Sequence, residues 1–573
     1  MRAQTGDGHR VVDHIVQHLA ACGTEYIFGV DGANIEDLFD AAFDCQDVTA
    51  ILAKHEFSAA TMADGYSRAG GGVGVVAATS GGGSLNLVAG LGESLASRVP
   101  VLALVGQPPT GLDGRGSFQD TSGCGGALDA HALFSAVSVY CRRVTRPADI
   151  GAALHEAMAA ARRGGPAVLL LPKDVQQGLV AVMEPVDVQE DSPIVNPAEI
   201  AEALHRAIGP VTIIAGEQVA RDDARDELEE LRAALRAWVA TVPDAKDVSG
   251  SPGLGQSSWL GVTGVMGHPR VADAVSRSAV CLLVGTRLSV TARAGLDEAL
   301  AGVQVLSLGS SKPYITGTHV HSTDLRTSLP ALTRSLTGSA RPHGLRVLEP
   351  LPQASLRPPD HDGPGIRYDD AIAALDQMLP DGADVVVDAG NTGAAATHRL
   401  PVRRGGRFVV ALGMGGMGYS FGAGIGMCLA RSKKAGARRT VVVAGDGSFY
   451  MHGMELHTAV QYQLPMTIVL FNNNAHAMCV TREQLFYGDR YSYNRFTPSR
   501  LGAGLAAMFP GLHSVDVSDV SGLAPALADA FRRPGPSVVS IECSADEIPP
   551  FAPFLDTILT EQKESTEHVA ARA

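Results

Sequence analysis

Short unbroken apolar runs alternate along this chain with longer stretches whose apolar positions recur three and four residues apart. In the N-terminal third the runs are Val48-Thr-Ala-Ile-Leu-Ala53, Pro100-Val-Leu-Ala-Leu-Val-Gly106 and Pro166-Ala-Val-Leu-Leu-Leu-Pro172. The middle third has Pro210-Val-Thr-Ile-Ile-Ala-Gly216 and Ala279-Val-Cys-Leu-Leu-Val-Gly285. The last third has Ala383-Asp-Val-Val-Val-Asp388, Thr440-Val-Val-Val-Ala444 and Met466-Thr-Ile-Val-Leu-Phe471. Runs that are apolar at every position predict strands buried on both faces, hence parallel sheets covered by helices. Two proline-rich stretches, Met183 to Pro197 and Arg341 to Gly365, break the alternation, because proline fits neither a helix interior nor a central strand. The pattern therefore predicts an α/β chain of three doubly wound parallel-sheet domains, at 1–185, 196–340 and 366–550, with a C-terminal tail at 551–573. The first and third blocks share an order of elements but no sequence repeat. From Thr560 the tail is polar and either closes over a site or stays disordered.

Composition removes several function classes. A net charge of −14 and the lack of a long Lys/Arg run argue against a nucleic-acid partner. No apolar stretch approaches the ~18 to 20 residues that span a bilayer, so no membrane role is expected. The N-terminus, Met1-Arg-Ala-Gln-Thr-Gly-Asp-Gly8, lacks a signal-peptide apolar core. Cys22, Cys45, Cys124, Cys141, Cys281, Cys428, Cys479 and Cys543 follow no CxxC or metal spacing; they read as reduced thiols, and a cytoplasmic location is expected.

The candidate chemistry starts at Asp446, in Gly445-Asp446-Gly447-Ser448. Asn472-Asn473 follows, and 473 − 446 = 27 positions separate the aspartate from the second asparagine. Between them Phe449 to Gln463 is long enough for a helix, which makes the order strand, turn, helix, strand, turn. In a parallel sheet both turns fall at carboxyl ends of strands, where ligands bind. A carboxylate, a side-chain amide and backbone carbonyls form a hard-oxygen site suited to Mg²⁺ and a phosphate. Taken singly, each half is also an ordinary turn sequence.

Upstream, Lys54 to Tyr66 is helical in pattern and places Glu56, Ala59, Ala60 and Ala63 on one small-residue face. A carboxylate buried there needs a raised pKa or a dedicated partner. The alternative is a solvated glutamate at a helix start, favoured by the helix dipole.

Glu56 in His-Glu-x-x-Ala-x-x-x-Ala-x-Gly-Tyr, followed downstream by the Gly-Asp-Gly and Asn-Asn turns, resembles the thiamine-diphosphate-dependent decarboxylase and carboligase superfamily, acetolactate synthase branch. The likeness runs from Val12 to Ser544. Thr79-Ser-Gly-Gly-Gly-Ser-Leu-Asn-Leu87, Gly106-Gln107, Ser117-Phe118-Gln119-Asp120 and Gly415-Gly416-Met417-Gly418 stand in the family's order. In the first of these, glycine replaces the family's proline. The resemblance implies thiamine diphosphate and Mg²⁺ as cofactors. It makes Asp446, Asn473 and the Ala475 carbonyl the metal ligands. Gly445, Gly447, Ser448, Gly390, Asn391 and Thr392 fall near the diphosphate, and Thr79, Gly415, Met417 and Met478 elsewhere around the cofactor. Asn391 and Thr392 also read as a helix cap, and Met417 also reads as a core side chain filling a gap. Glu56 would hydrogen-bond the pyrimidine ring, so that the cofactor decarboxylates a 2-oxo acid and the resulting enamine adds to a carbonyl acceptor. Homodimers or homotetramers with active sites at the subunit interface follow from the same resemblance.

The chain also departs from the family. Pro108 to Gly116 holds no histidine where simple decarboxylases carry a His-His pair, and Gly81 to Ser84 lacks the histidine of a benzoylformate decarboxylase. Phe118 and Gln119 match the carboligase pattern, with Gln119 bonding substrate and Phe118 shaping the acceptor pocket. The lysine of acetolactate synthases falls near Val139, and the tryptophan of their Met-x-x-x-Trp becomes Arg482 in Met478-Cys-Val-Thr-Arg482. An arginine there points to an acceptor larger or more anionic than pyruvate, unless it faces solvent and pairs with Glu483 or Asp489. Gly261 to His268 and Gly285-Thr-Arg287 resemble flavin-holding segments that flavin-free relatives also keep, so FAD stays an option and not an expectation. The competing readings are a non-ligating 2-oxo acid decarboxylase, C–C cleavage of a dicarbonyl compound and a catalytically degenerate binding subunit. A nicotinamide enzyme is disfavoured, because no G-x-G-x-x-G opens a helix with an acidic residue ~20 positions on.

Overall fold

The computed structural model describes residues 8–181, 196–251, 253–352, 354–432 and 438–560. Most of the first proline-rich stretch and the tail beyond Thr560 lie outside these residues. The segment between Ala340 and Tyr368 forms no helix or strand among the described residues.

Three six-stranded sheets carry the fold. Two short strands, β1 (Gly8–Arg10) and β8 (Leu179–Ala181), pair antiparallel beside the first sheet. That sheet contains β2 (Tyr26–Val30), β3 (Thr49–Leu52), β4 (Gly74–Ala78), β5 (Val101–Gln107), β6 (Tyr140–Arg143) and β7 (Pro166–Pro172), in the order β3-β2-β4-β5-β7-β6. The second contains β9 (Val211–Ala215), β10 (Trp238–Thr241), β11 (Trp259–Val262), β12 (Val280–Val284), β13 (Gln304–Gly309) and β14 (Thr318–His321), in the order β11-β10-β9-β12-β13-β14. The third contains β15 (Asp384–Val387), β16 (Phe408–Val410), β17 (Thr440–Gly445), β18 (Met466–Asn472), β19 (His513–Val517) and β20 (Ser537–Glu542), in the order β16-β15-β17-β18-β20-β19. The strands run parallel. All eight apolar runs become strands, shifted by one residue at most. Counted within each sheet, the first and third share one strand order, second-first-third-fourth-sixth-fifth, while the middle sheet is third-second-first-fourth-fifth-sixth. The shared architecture of the outer blocks is therefore a matter of topology and not of sequence.

Strands at sheet centres are buried at every position, as in β5, β7, β9 and β12, whereas the edge strands β3, β6 and β14 are partly open. This is why the central runs are continuously apolar. By contact the chain forms two compact units. One is built on the first sheet and takes in residues from Ala411 to Arg438 and from Tyr450 to Met466; the other is built on the second and third sheets.

In the first unit the helix Glu56–Tyr66 is buried at all of its residues and not on one face only. The helices Gly82–Ser97 and Tyr419–Ser432 both pack on it. Glycine makes this approach feasible: a Cβ at Gly90 would lie 2.6 Å from Ala60 Cβ, and one at Gly422 would lie 2.6 Å from the Ser58 carbonyl oxygen. The small-residue pattern was therefore half of a reciprocal arrangement.

In the second unit the helix Asn391–Arg399 is tied at its C-terminus to the middle sheet. Lys246, fully buried, donates from Nζ to the carbonyls of Thr397 (2.6 Å) and Leu400 (2.5 Å), and burial pushes its pKa down to about 7. Buried Asp247 is held by Arg225 and Arg407. His398 stacks on His268 with ring centroids 4.4 Å apart. Its Nδ1 lies 2.9 Å from the Met266 carbonyl and its Nε2 accepts from Leu356 N–H at 3.1 Å, an arrangement that suits only the neutral ring. His268 Nδ1 accepts from Val262 N–H.

Burial first, then neighbouring cationic groups, lowers the His268 pKa to about 3; burial lowers that of His398 to about 4. Unfolded, both rings take up protons near their ordinary pKa of about 6.5. The folded state is therefore fully favoured above that pH and loses stability as the pH falls from about 6.5 towards 4. The slope expected is about 1.4 kcal/mol per pH unit for each histidine. The thermal midpoint should drop across this window, and His398→Gln, which keeps a donor and an acceptor, should flatten the fall; an unchanged slope in the variant would exclude this pair as its source.

Candidate active site

The turns that hold the candidate residues follow from the sheet orders. In a doubly wound sheet, a crevice opens where successive connections leave in opposite directions, at the carboxyl ends of the strands. In the first sheet that point lies between β2 and β4, and in the third between β15 and β17. The chain segments leaving these strands contain Asn34 and Thr79 in the first sheet, and Asn391, Thr392 and Asp446 in the third.

In the second unit Asp446 is fully buried and begins a helix, Asp446–His452, so Gly447 and Ser448 lie in its first turn. The expected long helix is instead broken by a tight turn at Gly453–Glu455 before Leu456–Gln461. Asp446 Oδ1 accepts from Gly447 N–H at 2.9 Å, while Oδ2 is buried with no hydrogen-bond donor. Burial raises the carboxyl pKa to about 7 against the opposing pull of backbone N–H groups from Gly447, Asn474 and Ala475. Ser448 donates to the Gly445 carbonyl at 2.9 Å. A Cβ on Gly447 would collide with His476 Nδ1 and lie 3.5 Å from the Ala475 carbonyl oxygen, so glycine lets the two turns meet.

The second turn is braced. Asn473 Oδ1 accepts from Ala475 N–H at 3.1 Å, and Asn474 takes a left-handed φ of 54° while its side chain accepts from Ser499 N–H. Ala475 bridges to Arg495, and His476 N–H donates to the Asn494 carbonyl. Gly390, with φ 117°, caps the helix Asn391–Arg399; a Cβ there would meet nothing within 4 Å. Asn391 is inside the helix, its amide facing Thr481 Oγ1 at 3.4 Å and its Oδ1 buried without a donor, so its side chain is not a helix cap. Thr392 is buried beside it. Met478 and Arg482 lie on the helix Ala477–Tyr487. Arg482 is exposed, sits 5.2 Å over the Phe486 ring, and has no ion pair to Glu483 or Asp489 among the described residues. Glu483 accepts from Asn494 instead.

In the first unit Glu56 opens its helix and is 8 % exposed, so the solvated reading fails. Its dedicated partner is Asn86, which donates to Oε2 at 2.9 Å. A Cβ at Gly83 would lie 2.9 Å from Glu56 Oε1 and the same from Thr79 Cγ2, so this turn closes over the carboxylate. Thr79 Oγ1 accepts from Asn34 N–H at 3.2 Å, and the Thr79 and Ser80 hydroxyls approach Gln119 Oε1 at 3.5 and 3.3 Å. Gln119 adopts φ 60°, a left-handed conformation costly for a side-chain residue and frequent at functional positions. Phe118 beside it is 77 % exposed. Met417 is half-buried and Gly415 exposed; a Cβ on Gly416, between them, would lie 3.3 Å from the Phe57 ring.

The chain thus brings Glu56, Thr79 and Gln119 together in one unit, with Gly415 and Met417 also there. Asp446, Asn473, Ala475, Gly390, Asn391, Thr392, Met478 and Arg482 belong to the other. Two supporting residues had not been singled out. Asn86 ends the Thr-Ser-Gly motif, which was a usable signal. Glu455 had none: buried, its Oε1 accepts from Lys54 N–H at 2.7 Å and His55 N–H at 3.1 Å, just ahead of Glu56. Burial raises the Glu455 pKa. In the segments resembling flavin-holding sequence, Gly261 lies against His268 and Arg287 lies 5.3 Å over Tyr314.

The residues fit a metal-bound diphosphate. A buried carboxylate oxygen without a donor, the Asn473 amide oxygen with a single N–H donor, and a carbonyl brought close by a glycine form the hard-oxygen set that Mg²⁺ takes.

Comparison with known proteins agrees with this chemistry. Residues 9–125 match the N-terminal TPP binding domain of thiamine pyrophosphate enzymes, 198–319 the central domain, and 388–541 the C-terminal TPP binding domain. The chain is 28% identical over 547 residues to the acetolactate synthase isozyme 2 large subunit of Escherichia coli, covering 93% of this chain and 95% of that one. It is 28% identical over 505 residues to a probable acetolactate synthase large subunit of Methanocaldococcus jannaschii, covering 83% and 82%. The fold superposes on benzoylformate decarboxylase from Polynucleobacter necessarius with TM-score 0.80 at 18% identity, covering 94% of this chain and 100% of that one.

Glu455→Ala would strand two backbone N–H groups and should lower unfolding stability by about 1–3 kcal/mol. Glu455→Gln keeps an acceptor oxygen and should recover most of the loss. Denaturant melts that place the two variants together would show that the carboxamide oxygen does not replace the carboxylate as anchor.

Proposed function

We infer the function from a single premise: the chain belongs to the thiamine pyrophosphate enzyme family, matching its models in three consecutive segments. We propose that it decarboxylates a pyruvate-like 2-oxo acid and joins the remaining fragment to a carbonyl acceptor, in the manner of an acetolactate synthase. The observation that carries this is the Asp446 turn, a buried carboxylate with one oxygen lacking a donor, placed where the third sheet opens. In this reading residues 1–185 serve the pyrimidine end of the cofactor, 196–340 form a central domain, and 366–550 serve the diphosphate end. The working form is a homodimer or homotetramer with its active sites at subunit interfaces.

When bound, thiamine diphosphate supplies the electron sink for loss of CO₂. Asp446 Oδ2, Asn473 and the Ala475 carbonyl would hold Mg²⁺, with Gly445, Gly447 and Ser448 admitting the backbone to the diphosphate. Gly390, Asn391 and Thr392 would contact the same group, Asn391 as a donor through its Nδ2. Met417, flanked by Gly416 and Gly418, would pack against the cofactor, and Gly415, Thr79 and Met478 would line it. Glu56 would hold a proton at Oε1 against the pyrimidine nitrogen, because Asn86 already occupies Oε2. Gln119, whose carbonyl oxygen is taken by two hydroxyls, keeps its amide N–H groups for substrate, with Phe118 forming an apolar wall. Ligation is favoured over simple decarboxylation because no histidine stands in Pro108 to Gly116 to protonate the fragment. Arg482, exposed and free of an acidic partner among the described residues, would take a carboxylate or phosphate on the acceptor. FAD plays no part in this reading.

CO₂ release should be measured from a panel of 2-oxo acids with thiamine diphosphate and Mg²⁺, with products identified by mass spectrometry. One substrate should release CO₂ and yield a heavier coupled product, and Glu56→Gln should cut the rate by roughly 10²–10⁴. A bare aldehyde would replace ligation by simple decarboxylation; no release would move the reaction to dicarbonyl cleavage. Failure to bind the cofactor would leave the degenerate binding subunit.

Arg482→Ala should raise the acceptor KM about tenfold, equivalent to about 1.4 kcal/mol, with kcat little changed. An unchanged KM would end the assignment of an anionic acceptor.

A further inference from the structure

Tyr368 opens the helix Tyr368–Met378 and is 1 % exposed, which makes it one of the largest fully buried side chains. Its hydroxyl accepts from Asn473 Nδ2 at 3.4 Å and also meets the Asn391 amide. Its ring lies against Phe471, near the end of β18, with centroids 5.7 Å apart. Its backbone N–H donates to both oxygens of Glu547, at 2.9 and 3.0 Å, and Glu547 is itself 92 % buried by its 8 % exposure. Nothing in the reaction scheme uses this phenol.

The position matters because an asparagine amide has two ends of similar shape, and only one is a metal ligand. Ala475 N–H donates to the oxygen end of Asn473, and the Tyr368 oxygen accepts from the nitrogen end. Together they leave a single satisfied orientation. Without the hydroxyl, the buried NH₂ group loses its partner and the amide can turn. The same hydroxyl borders Asn391, on the turn that follows β15, so one phenol braces residues from both candidate turns.

We propose that Tyr368 is a positioning residue for the cation site: its hydroxyl fixes the Asn473 amide with the oxygen presented to Mg²⁺, and Glu547 anchors the tyrosine through its backbone N–H. This rests on the reading of Asp446, Asn473 and Ala475 as the metal ligands. Partners that orient a metal ligand without touching the metal are typically worth 10- to 100-fold in affinity.

The test is calorimetric titration of Mg²⁺ into the full-length protein with saturating thiamine diphosphate. Tyr368→Phe keeps the ring and removes only the hydroxyl. Tyr419→Phe is the comparison, because its equally buried hydroxyl bonds Asp64 and none of the candidate ligands. Tyr368→Phe should weaken Mg²⁺ binding at least tenfold, while Tyr419→Phe binds as the parent does. Equal affinity in Tyr368→Phe and parent would overturn the proposal, as would an equal loss in both variants, which would mark a general effect of deleting a buried hydroxyl. A parent protein that takes up thiamine diphosphate without any need for Mg²⁺ would sink the ligand assignment and this inference with it.

Discussion

A carboxylate removed from water must find donors or a cation, and that requirement organises the turns of this protein. Glu93 accepts from the N–H groups of Gly413 and Met414, Glu455 from those of Lys54 and His55, and Glu547 from that of Tyr368. Glu56 is met by the Asn86 amide. Glu93, Glu455 and Glu547 thereby satisfy backbone N–H groups, whereas Glu56 is met by a side chain. Asp446 is the exception within this set. One oxygen has its donor and the other is buried with none.

The parallel sheets explain why these acids collect where they do. A sheet buried on both faces puts every strand's carboxyl end on one edge, and the polar turns must sit there. Because the first and third sheets have the same strand order, each opens between its first and third strands. Thr79 and Asn34 occupy one opening, Asn391 and Asp446 the other. The backbone plan of the two openings is common and their turn residues are not.

That division also accounts for what the sequence disclosed. Strands were legible because full burial writes itself as an unbroken apolar run, and the Asp446 and Asn473 turns were legible because their spacing follows from one strand-helix-strand passage. The breadth of burial around Glu56 was not, since it depends on glycines at 90, 422 and 426 in distant helices. Glu455 and Tyr368 were silent for the same reason. Each acts on a residue about 100 or more positions away, 473 − 368 = 105 and 455 − 55 = 400, and nothing local marks a glutamate or tyrosine that will end up beside a remote turn. The alternative for Asn391 as a helix cap failed because the helix starts at Asn391 itself, with Gly390 at the cap position.

The likeness to acetolactate synthases and the superposition on a benzoylformate decarboxylase share one physical basis, and it does not fix the reaction. What the superposition shows to be common is the fold. Reaction outcome instead turns on the few side chains that can deliver a proton or bind a second carbonyl compound. Here the stretch Pro108 to Gly116 offers no imidazole, Gln119 is held in a strained backbone by two hydroxyls, and Arg482 lies exposed over Phe486. These features lie in loops and at an exposed helix face, where changes cost little stability. Glu56 and Asp446, by contrast, are buried among contacts that punish substitution.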